Sequence, residues 1–166
     1  MLQKEFNFRA LMVRDEEGQY RPATGEEIIE AAMEEMRRRF ARGMTISSPE
    51  ATKDFLQLKL AHLEHEVFAV LWLDNRHRVL GFEELFRGTI DGASVHPREV
   101  VKSAMRHNAA AAIFAHNHPS GITEPSQADQ RITQRLKDAL ALVEVRVLDH
   151  VIVAENTCSF AERGLL

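Results

Sequence analysis

Hydrophobic and polar positions along this chain of 166 residues follow two periods, one typical of strands and one typical of helices. Strand-like segments cover residues 6–13, 66–73, 78–86, 109–115 and 145–154. Helix-like segments cover residues 24–42, the segment that begins at Ser48, residues 97–108 and the segment that begins near Pro125. Their order, β-α-α-β-β-α-β-α-β, favours an α/β fold in which a central mixed sheet has helices on its faces.

The chain is expected to divide into an N-terminal strand–helix extension, residues 1–43, and a main domain, residues 44–166. The helix of the extension opens with a capping box that runs from Thr24 to Glu27, and it is expected to continue to Arg42 and end at Gly43. With 45% hydrophobic and 28% charged residues, the composition is that of an ordinary globular protein with a sizeable core.

The densest group of chemically active residues follows the alanine-rich segment that we interpret as a buried strand, although its alanines also allow a helix. In an extended backbone, residues i and i+2 point to the same side, so His116 and His118 can converge on one ion at the strand end. Pro119 disfavours helix at His118 and stops the strand. Asp129 is expected in the first turn of the next helix, with Ser126 one turn earlier on nearly the same face.

Two imidazoles and a carboxylate form a ligand set that suits a zinc ion. Three protein ligands leave a fourth position open, which a catalytic zinc needs for its water. The sequence therefore predicts a Zn²⁺ site formed by His116, His118 and Asp129. Each part also has an ordinary explanation, since paired histidines occur on solvated strand ends and a serine or aspartate at a helix start is usually a cap. The combination is more specific than its parts.

This motif resembles the JAMM (MPN-plus) metalloprotease signature in its RadC-like form. Similar stretches elsewhere in the chain extend the resemblance over residues 45–166, and they lie at residues 83–89, 95–100, 148–150 and 162–166. The resemblance implies a cytidine-deaminase-like α/β/α sandwich, the JAMM or MPN domain. It also implies a zinc-dependent hydrolase in which a zinc-activated water attacks a peptide or isopeptide carbonyl, so that the expected partner is a peptide or protein substrate.

The JAMM family supplies its general base from a glutamate at the start of a strand upstream of the two histidines. Glu66 matches that position, while its ordinary interpretation is an exposed glutamate at a strand entry. Glu84 is the rival because it lies on the return strand within a family-like stretch, and Glu64 is a weaker candidate. Ser126 is placed to donate a hydrogen bond to the oxyanion that develops during the reaction.

The alternative function is that of a RadC-like accessory protein, associated with DNA repair or mobile elements, that retains the metal site. Full-length RadC proteins usually carry an N-terminal helix-hairpin-helix segment, whereas residues 1–43 look like the extension of short RadC-like proteins of mobile elements. The net charge of −4 gives no electrostatic footprint for nucleic acid. Duplex DNA binding is therefore expected to be weak or absent.

Composition narrows the remaining possibilities. The sequence has no run of eighteen apolar residues and does not open with a signal peptide, so we expect a cytoplasmic protein without a membrane partner. Its one cysteine, Cys158, excludes an internal disulfide and a cysteine-based zinc site, and it is expected to be a buried small residue. Cytidine deamination, known on a related fold, needs a Pro-Cys-x-x-Cys pair that this chain lacks.

Overall fold

The computed structural model describes residues 11–14, 17–46, 48–88 and 94–166. The chain divides into two compact units, Met1–Arg38 and Arg39–Leu166. The first unit contains an antiparallel pair of short strands and a helix that ends at its boundary, and these elements are β1 (Met12–Arg14), β2 (Tyr20–Pro22) and α1 (Gly25–Arg39). Of the strand predicted over residues 6–13, residues 6–10 lie outside the described residues, and the boundary near residue 43 stays a prediction.

The capping box at the start of α1 is confirmed. The backbone amide of Glu27 donates to Thr24 Oγ1 at 3.2 Å, and the backbone amide of Thr24 donates to the Glu27 carboxylate at 2.8 Å. The Arg21 guanidinium, aided by the Thr24 amide, lowers the pKa of Glu27 to about 2. The helix ends at Arg39 rather than at Arg42, and the residues that follow form a turn in which Gly43 adopts a left-handed conformation and the Met44 amide donates to the Ala41 carbonyl at 3.0 Å.

The second unit contains the elements that the periodicity predicts, with small shifts at their ends. In chain order they are α2 (Pro49–Leu60), β3 (Val67–Leu73), β4 (Val79–Arg87), α3 (Pro97–His107), β5 (Ala111–Asn117), α4 (Gln127–Ala141), β6 (Arg146–Val153) and β7 (Thr157–Ser159). Ser48 caps α2 as expected, because its side chain accepts a hydrogen bond from the amide of Ala51. The alanine-rich segment is a strand and not a helix.

The sheet of the second unit has five strands in the order β4-β3-β5-β6-β7. Only β5 and β6 run parallel, and the other neighbours are antiparallel, so the sheet is mixed. Helices α3 and α4 pack together on one face, against β4 and β6 respectively, while α2 packs against β5 and β6. The predicted α/β/α sandwich around a central mixed sheet is confirmed.

The two central strands form the most deeply buried part of this unit. Every residue of β3 and of β5 is buried. On the face of α3 and α4, the core cluster brings together Phe68, Val70, Trp72, Val100, Ala104, Ala112, Phe114, Leu136, Leu140 and Val145. Close packing of this kind leaves side chains little freedom, so the C-terminal end of β5 is a rigid platform for the residues it carries.

Cys158 lies in β7 and is free and buried, as the sequence predicts. It belongs to a small core cluster with Ile152 and Phe160 at the β6–β7 side of the sheet. None of the helices within the described residues combines the length and apolar character that crossing a membrane requires.

Candidate metal centre

The His-x-His pair lies where β5 leaves the sheet. His116 is the penultimate residue of β5, paired with Phe68 of β3 on one side and with Ile152 of β6 on the other. The backbone amide of His118 donates to the carbonyl of Val153 at 2.8 Å, so that residue stays aligned with β6 for one more position. As predicted, both imidazoles therefore lie on one side of the chain at the sheet edge.

His116, His118 and Asp129 converge on one point. The two Nε2 atoms of the histidines are 2.9 Å apart. His116 Nε2 lies 3.3 Å from Oδ1 of Asp129, and His118 Nε2 lies 3.7 Å from Oδ2 of the same carboxylate. His116 is buried, while the other two side chains are half-buried. The strand end and the helix start thus meet as the spacing predicts.

A hydrogen bond to a backbone carbonyl fixes the imidazole of His118. Its Nδ1 lies 2.6 Å from the carbonyl oxygen of Ile122. Because that oxygen only accepts, Nδ1 carries a proton and donates it, and Nε2 is the ring nitrogen that faces the cluster. The turn that brings this carbonyl back closes with a bond from the Gly121 amide to the His118 carbonyl, and Gly121 has a φ of 79° that favours glycine.

Asp129 is held by the start of α4. Its Oδ2 accepts from the backbone amide of Ser126 at 2.7 Å, and its own amide donates to Ser126 Oγ at 3.1 Å. Burial raises the pKa of Asp129, but the hydrogen bond and charge attraction that a protonated His116 would supply, together with the bonds from Ser126, outweigh burial, so the pKa lies well below its ordinary value. The carboxylate is therefore ionised at neutral pH and directs Oδ1 toward His116.

Behind His116 lies a second buried histidine. His150 Nε2 is 2.8 Å from His116 Nδ1, and His150 Nδ1 is 2.6 Å from Thr133 Oγ1. Burial, followed by the positive charge that His116 can carry, lowers the pKa of His150 well below its ordinary value. No local spacing in the sequence connects His150 to His116, which lies 34 positions away, so this contact is visible only in the folded protein.

Asn117 points away from its two histidine neighbours, as the alternation of side chains along a strand requires, and has a structural role. Its Oδ1 accepts from the backbone amide of Val67 at 2.8 Å, and its Nδ2 donates to the carbonyl of His65 at 3.0 Å. A weaker bond reaches the carbonyl of Leu63 at 3.3 Å. This one side chain therefore fixes the segment that leads into β3, which contains Glu66.

The cluster opens into a cavity of about 530 Å³, a size typical of small-molecule and substrate sites. Its wall contains His116, His118 and Asp129 together with both residues that the sequence proposes for catalysis, Glu66 and Ser126. The remaining wall is largely apolar and includes Phe68, Val95, Pro119, Ile122 and Ile132. Glu66 lies one residue before β3, and β3 is the neighbour of β5, the strand that leads to the two histidines.

Other candidates lie away from the cluster. Glu84 is exposed on β4, where it pairs with Arg87 at 3.4 Å, and it does not belong to the cavity wall. Glu64 lines a neighbouring cavity of about 790 Å³. His96, considered as an orienting partner, precedes α3 and packs edge-on against the ring of Phe86.

The donor set fits a divalent metal ion. Ligand atoms about 2.0–2.2 Å from a tetrahedral ion lie about 3.3–3.6 Å from one another, and the observed separations of 2.9, 3.3 and 3.7 Å lie around that range. Two imidazole nitrogens at 2.9 Å repel each other if both carry only lone pairs, so a cation between them relieves the contact. With three protein ligands and an adjoining cavity, such an ion keeps a position open for a further ligand.

Replacing Ser126 with alanine removes the N-cap of α4 and is expected to lower the free energy of unfolding by about 1 kcal/mol. Urea unfolding of the metal-free protein measures the effect. Ser48→Ala is the matched control, because Ser48 caps α2 with a similar bond to the Ala51 amide at 3.1 Å. Both variants should lose comparable stability, whereas Ser126→Ala alone should also weaken metal binding, since the backbone of Asp129 loses its bond to Ser126 Oγ. Equal metal affinity in the two variants would contradict this coupling.

A five-stranded mixed sheet between helices, with a histidine–histidine–aspartate cluster at the end of a central strand, defines a JAB/MPN-type α/β domain. The sequence model of the RadC-like JAB domain matches residues 46–165. The chain belongs to this family, and the resemblance seen in the motif is confirmed.

Several relatives support this assignment, and each bears the name UPF0758 protein. One from Vibrio cholerae serotype O1 is 63% identical over 139 residues, which cover 84% of this chain and 88% of the relative. One from Thioalkalivibrio sulfidiphilus is 61% identical over 139 residues, covering 84% of this chain and 62% of the relative. One from Nitrosococcus oceani is 67% identical over 126 residues, covering 75% of this chain and 56% of the relative. The chain thus spans less than two thirds of the last two relatives.

Proposed function

We propose that this protein is a zinc-dependent hydrolase that cleaves a peptide or isopeptide bond. The observation that supports it most is the convergence of two imidazole nitrogens and an ionised carboxylate within 3.7 Å of one another, on the wall of a cavity that also contains Glu66. A structural zinc site normally has four protein ligands, whereas three ligands beside a cavity are typical of catalysis.

Zinc is the metal that best suits this ligand set. Neutral imidazoles and one carboxylate are intermediate in softness, and the arrangement matches the three-ligand sites of hydrolytic zinc enzymes. His116 and His118 would bind through Nε2 and Asp129 through a carboxylate oxygen. When bound, zinc lowers the pKa of a water from 15.7 to about 7 and polarises a carbonyl.

Glu66 is proposed as the general base. Its position in the cavity wall, beside the ligand cluster, lets its carboxylate take a proton from the attacking water and return it to the leaving amine. Glu84 is a poorer candidate because it is exposed on β4 and belongs to an ion pair with Arg87. The segment of Glu66 is fixed by the side chain of Asn117, which limits the movement of this carboxylate relative to the histidines.

Ser126 is proposed to stabilise the developing oxyanion. Its Oγ accepts from the Asp129 amide, which leaves the hydroxyl hydrogen available for donation into the cavity. A donor aimed at the charge that appears in the transition state is typically worth a factor of about 10²–10³ in rate. The side chain of Ser126 thus caps α4 and also lines the cavity in which the proposed reaction takes place.

The proposal is tested by screening the zinc-loaded protein against a library of peptides and isopeptide-linked peptide pairs, with mass spectrometry to detect new amine and carboxylate ends. We expect cleavage of a subset by the wild type and none by the His116→Ala, His118→Ala double variant prepared in parallel. Products that appear equally with the variant, or no cleavage in either amide class by a zinc-loaded wild type, would overturn the proposed reaction.

Duplex DNA is not expected to be a specific partner. The net charge is −4, and the basic end of α1 is largely neutralised, since Arg37 pairs with Glu34 at 2.9 Å and Arg38 with Glu35 at 2.8 Å. Titration of a short duplex at physiological salt should give a dissociation constant no tighter than about 10⁻⁴–10⁻⁶ M, the non-specific range. Nanomolar binding that survives added salt would contradict this prediction and would favour a DNA-associated accessory role.

A further inference from the structure

Two backbone carbonyls determine where the protons lie in the buried polar chain behind the ligand cluster. These hydrogen bonds run from the carbonyl of Asp129 through Thr133 and His150 to His116. Thr133 Oγ1 lies 2.6 Å from the Asp129 carbonyl oxygen and 2.6 Å from His150 Nδ1. A carbonyl oxygen only accepts, so the single hydroxyl hydrogen of Thr133 is donated to Asp129. Thr133 Oγ1 therefore accepts from His150, and His150 carries its proton on Nδ1.

The proton position of His150 then fixes that of His116. His150 is fully buried, and the rings of Phe68, Phe114 and Phe160 pack around it, so the neutral form is strongly favoured. A neutral imidazole protonated on Nδ1 has a lone pair on Nε2, which must accept the bond of 2.8 Å from His116 Nδ1. His116 Nε2 is thereby left with its lone pair directed at His118 and Asp129.

The reverse assignment creates two conflicts. If His150 donated to His116, His150 Nδ1 would need the hydroxyl hydrogen of Thr133, and two oxygen atoms would face each other at 2.6 Å without a hydrogen between them. His116 would then carry its proton on Nε2, the atom that lies 2.9 Å from His118 Nε2. That proton would occupy the place of the metal.

We propose that Thr133 and His150 are positioning residues that hold His116 in its Nδ1-protonated tautomer and so prepare Nε2 for the metal. The relay begins at the backbone of one ligand, Asp129, and ends at the side chain of another, His116, so it sets two of the three ligands relative to each other. A histidine that ligates a metal usually donates its other N–H to a carboxylate, a carbonyl or water. Here the acceptor is a neutral imidazole.

This choice of acceptor has a chemical consequence. A carboxylate behind a ligating histidine adds negative charge and raises the basicity of the ring. A neutral imidazole orients the ring equally well without adding charge, so a metal at the site keeps more of its positive charge for a substrate or a water. The inference depends on the metal site of the proposed function, but not on hydrolysis.

The first experiment compares metal affinity in variants of His150 by competition with a chromophoric chelator. His150→Leu removes the acceptor for His116 Nδ1–H and should weaken zinc binding about 10–100-fold, the usual cost of losing such a partner. His150→Gln keeps a neutral acceptor, its side-chain carbonyl, and should stay within about tenfold of the wild type. Equal affinities of the wild type and a folded His150→Leu would overturn the relay.

Variants of Thr133 provide a matched pair with less disturbance of the core. Thr133→Val keeps the shape but removes the hydroxyl, and should weaken zinc binding in the same direction as His150→Leu. Thr133→Ser keeps the hydroxyl and should bind zinc like the wild type. Thermal unfolding of each metal-free variant measures packing losses separately. A loss of affinity equal in Thr133→Val and Thr133→Ser would assign the effect to packing and contradict the proposal.

The second experiment observes the tautomers directly in the metal-free wild type, by proton–nitrogen NMR correlations of ¹⁵N-labelled histidines. His116 and His150 should both be protonated on Nδ1, and His150 should be unprotonated on Nε2. An unprotonated Nδ1 on His116, or a protonated Nε2 on His150, would refute the relay. If the wild type binds no zinc at all, the proposed function fails, and these spectra still decide the relay by themselves.

Discussion

Replacing His116 and His118 together with alanine is expected to reduce bound zinc from about one ion per chain to essentially none. Both residues direct an Nε2 lone pair at the same point, and a single carboxylate from Asp129 cannot hold the ion alone. Elemental analysis of the purified proteins after exposure to equal zinc measures the difference. Because the two side chains lie at the strand end and one is half-buried, the variant should remain folded.

A control with the same loss of two imidazoles separates the site from general metal binding by histidines. His62 and His96 are both exposed and lie outside the ligand cluster. A His62→Ala, His96→Ala double variant should retain about one zinc per chain, as the wild type does. An equal zinc content in the wild type and in the His116→Ala, His118→Ala variant would rule out the proposed metal site, whatever the control shows.

Glu66→Gln is expected to lower kcat by about 10²–10⁴, the contribution typical of a general base. The amide keeps the shape of the side chain but cannot take a proton from the attacking water. Zinc content and unfolding temperature should stay at wild-type values, because Glu66 is not among the three ligand residues. The measurement uses a substrate found in the amide library, with kcat and KM determined separately, since a base acts on kcat.

Two matched controls accompany this variant. Glu84→Gln and Glu64→Gln remove the same charge from the neighbouring strand and from the segment before β3, and both should keep kcat within a few-fold of the wild type. A kcat near wild type in Glu66→Gln, with a large loss in Glu84→Gln, would transfer the role of base to Glu84. A loss of zinc in Glu66→Gln would instead make Glu66 part of the metal site.

The ligand cluster could be predicted because its geometry is mostly local. An i, i+2 pair at a strand end converges by backbone geometry alone, as His116 and His118 do. The position of Asp129 followed from helix-start signals, and the capping box with Ser126 shows that the ordinary role of a cap and a place in the cluster coexist. The two central strands, β3 and β5, were predictable because they are largely continuous apolar runs.

The features that could not be predicted from the sequence mostly depend on contacts between distant parts of the chain. His150 lies on β6, and its bond to His116 on β5 exists only because those strands pair in parallel with Phe114 opposite His150. The end of α1 at Arg39 was not predicted, because the stop signal that the sequence offers, Gly43, lies four residues further on. Strand β2 was not predicted, because its three residues are all exposed and carry no apolar alternation.

In the proposed reaction centre, the neighbouring residues His116 and Asn117 have different roles. Their side chains point to opposite sides of β5. His116 faces the cluster, and the side-chain amide of Asn117 forms hydrogen bonds to the backbone between residues 63 and 67. The distance between His116 and the backbone of the proposed base is thus set by the pleat of one strand. Changes in the cavity wall outside the turn that fixes His118 and the helix start that holds Asp129 would therefore leave this distance unchanged.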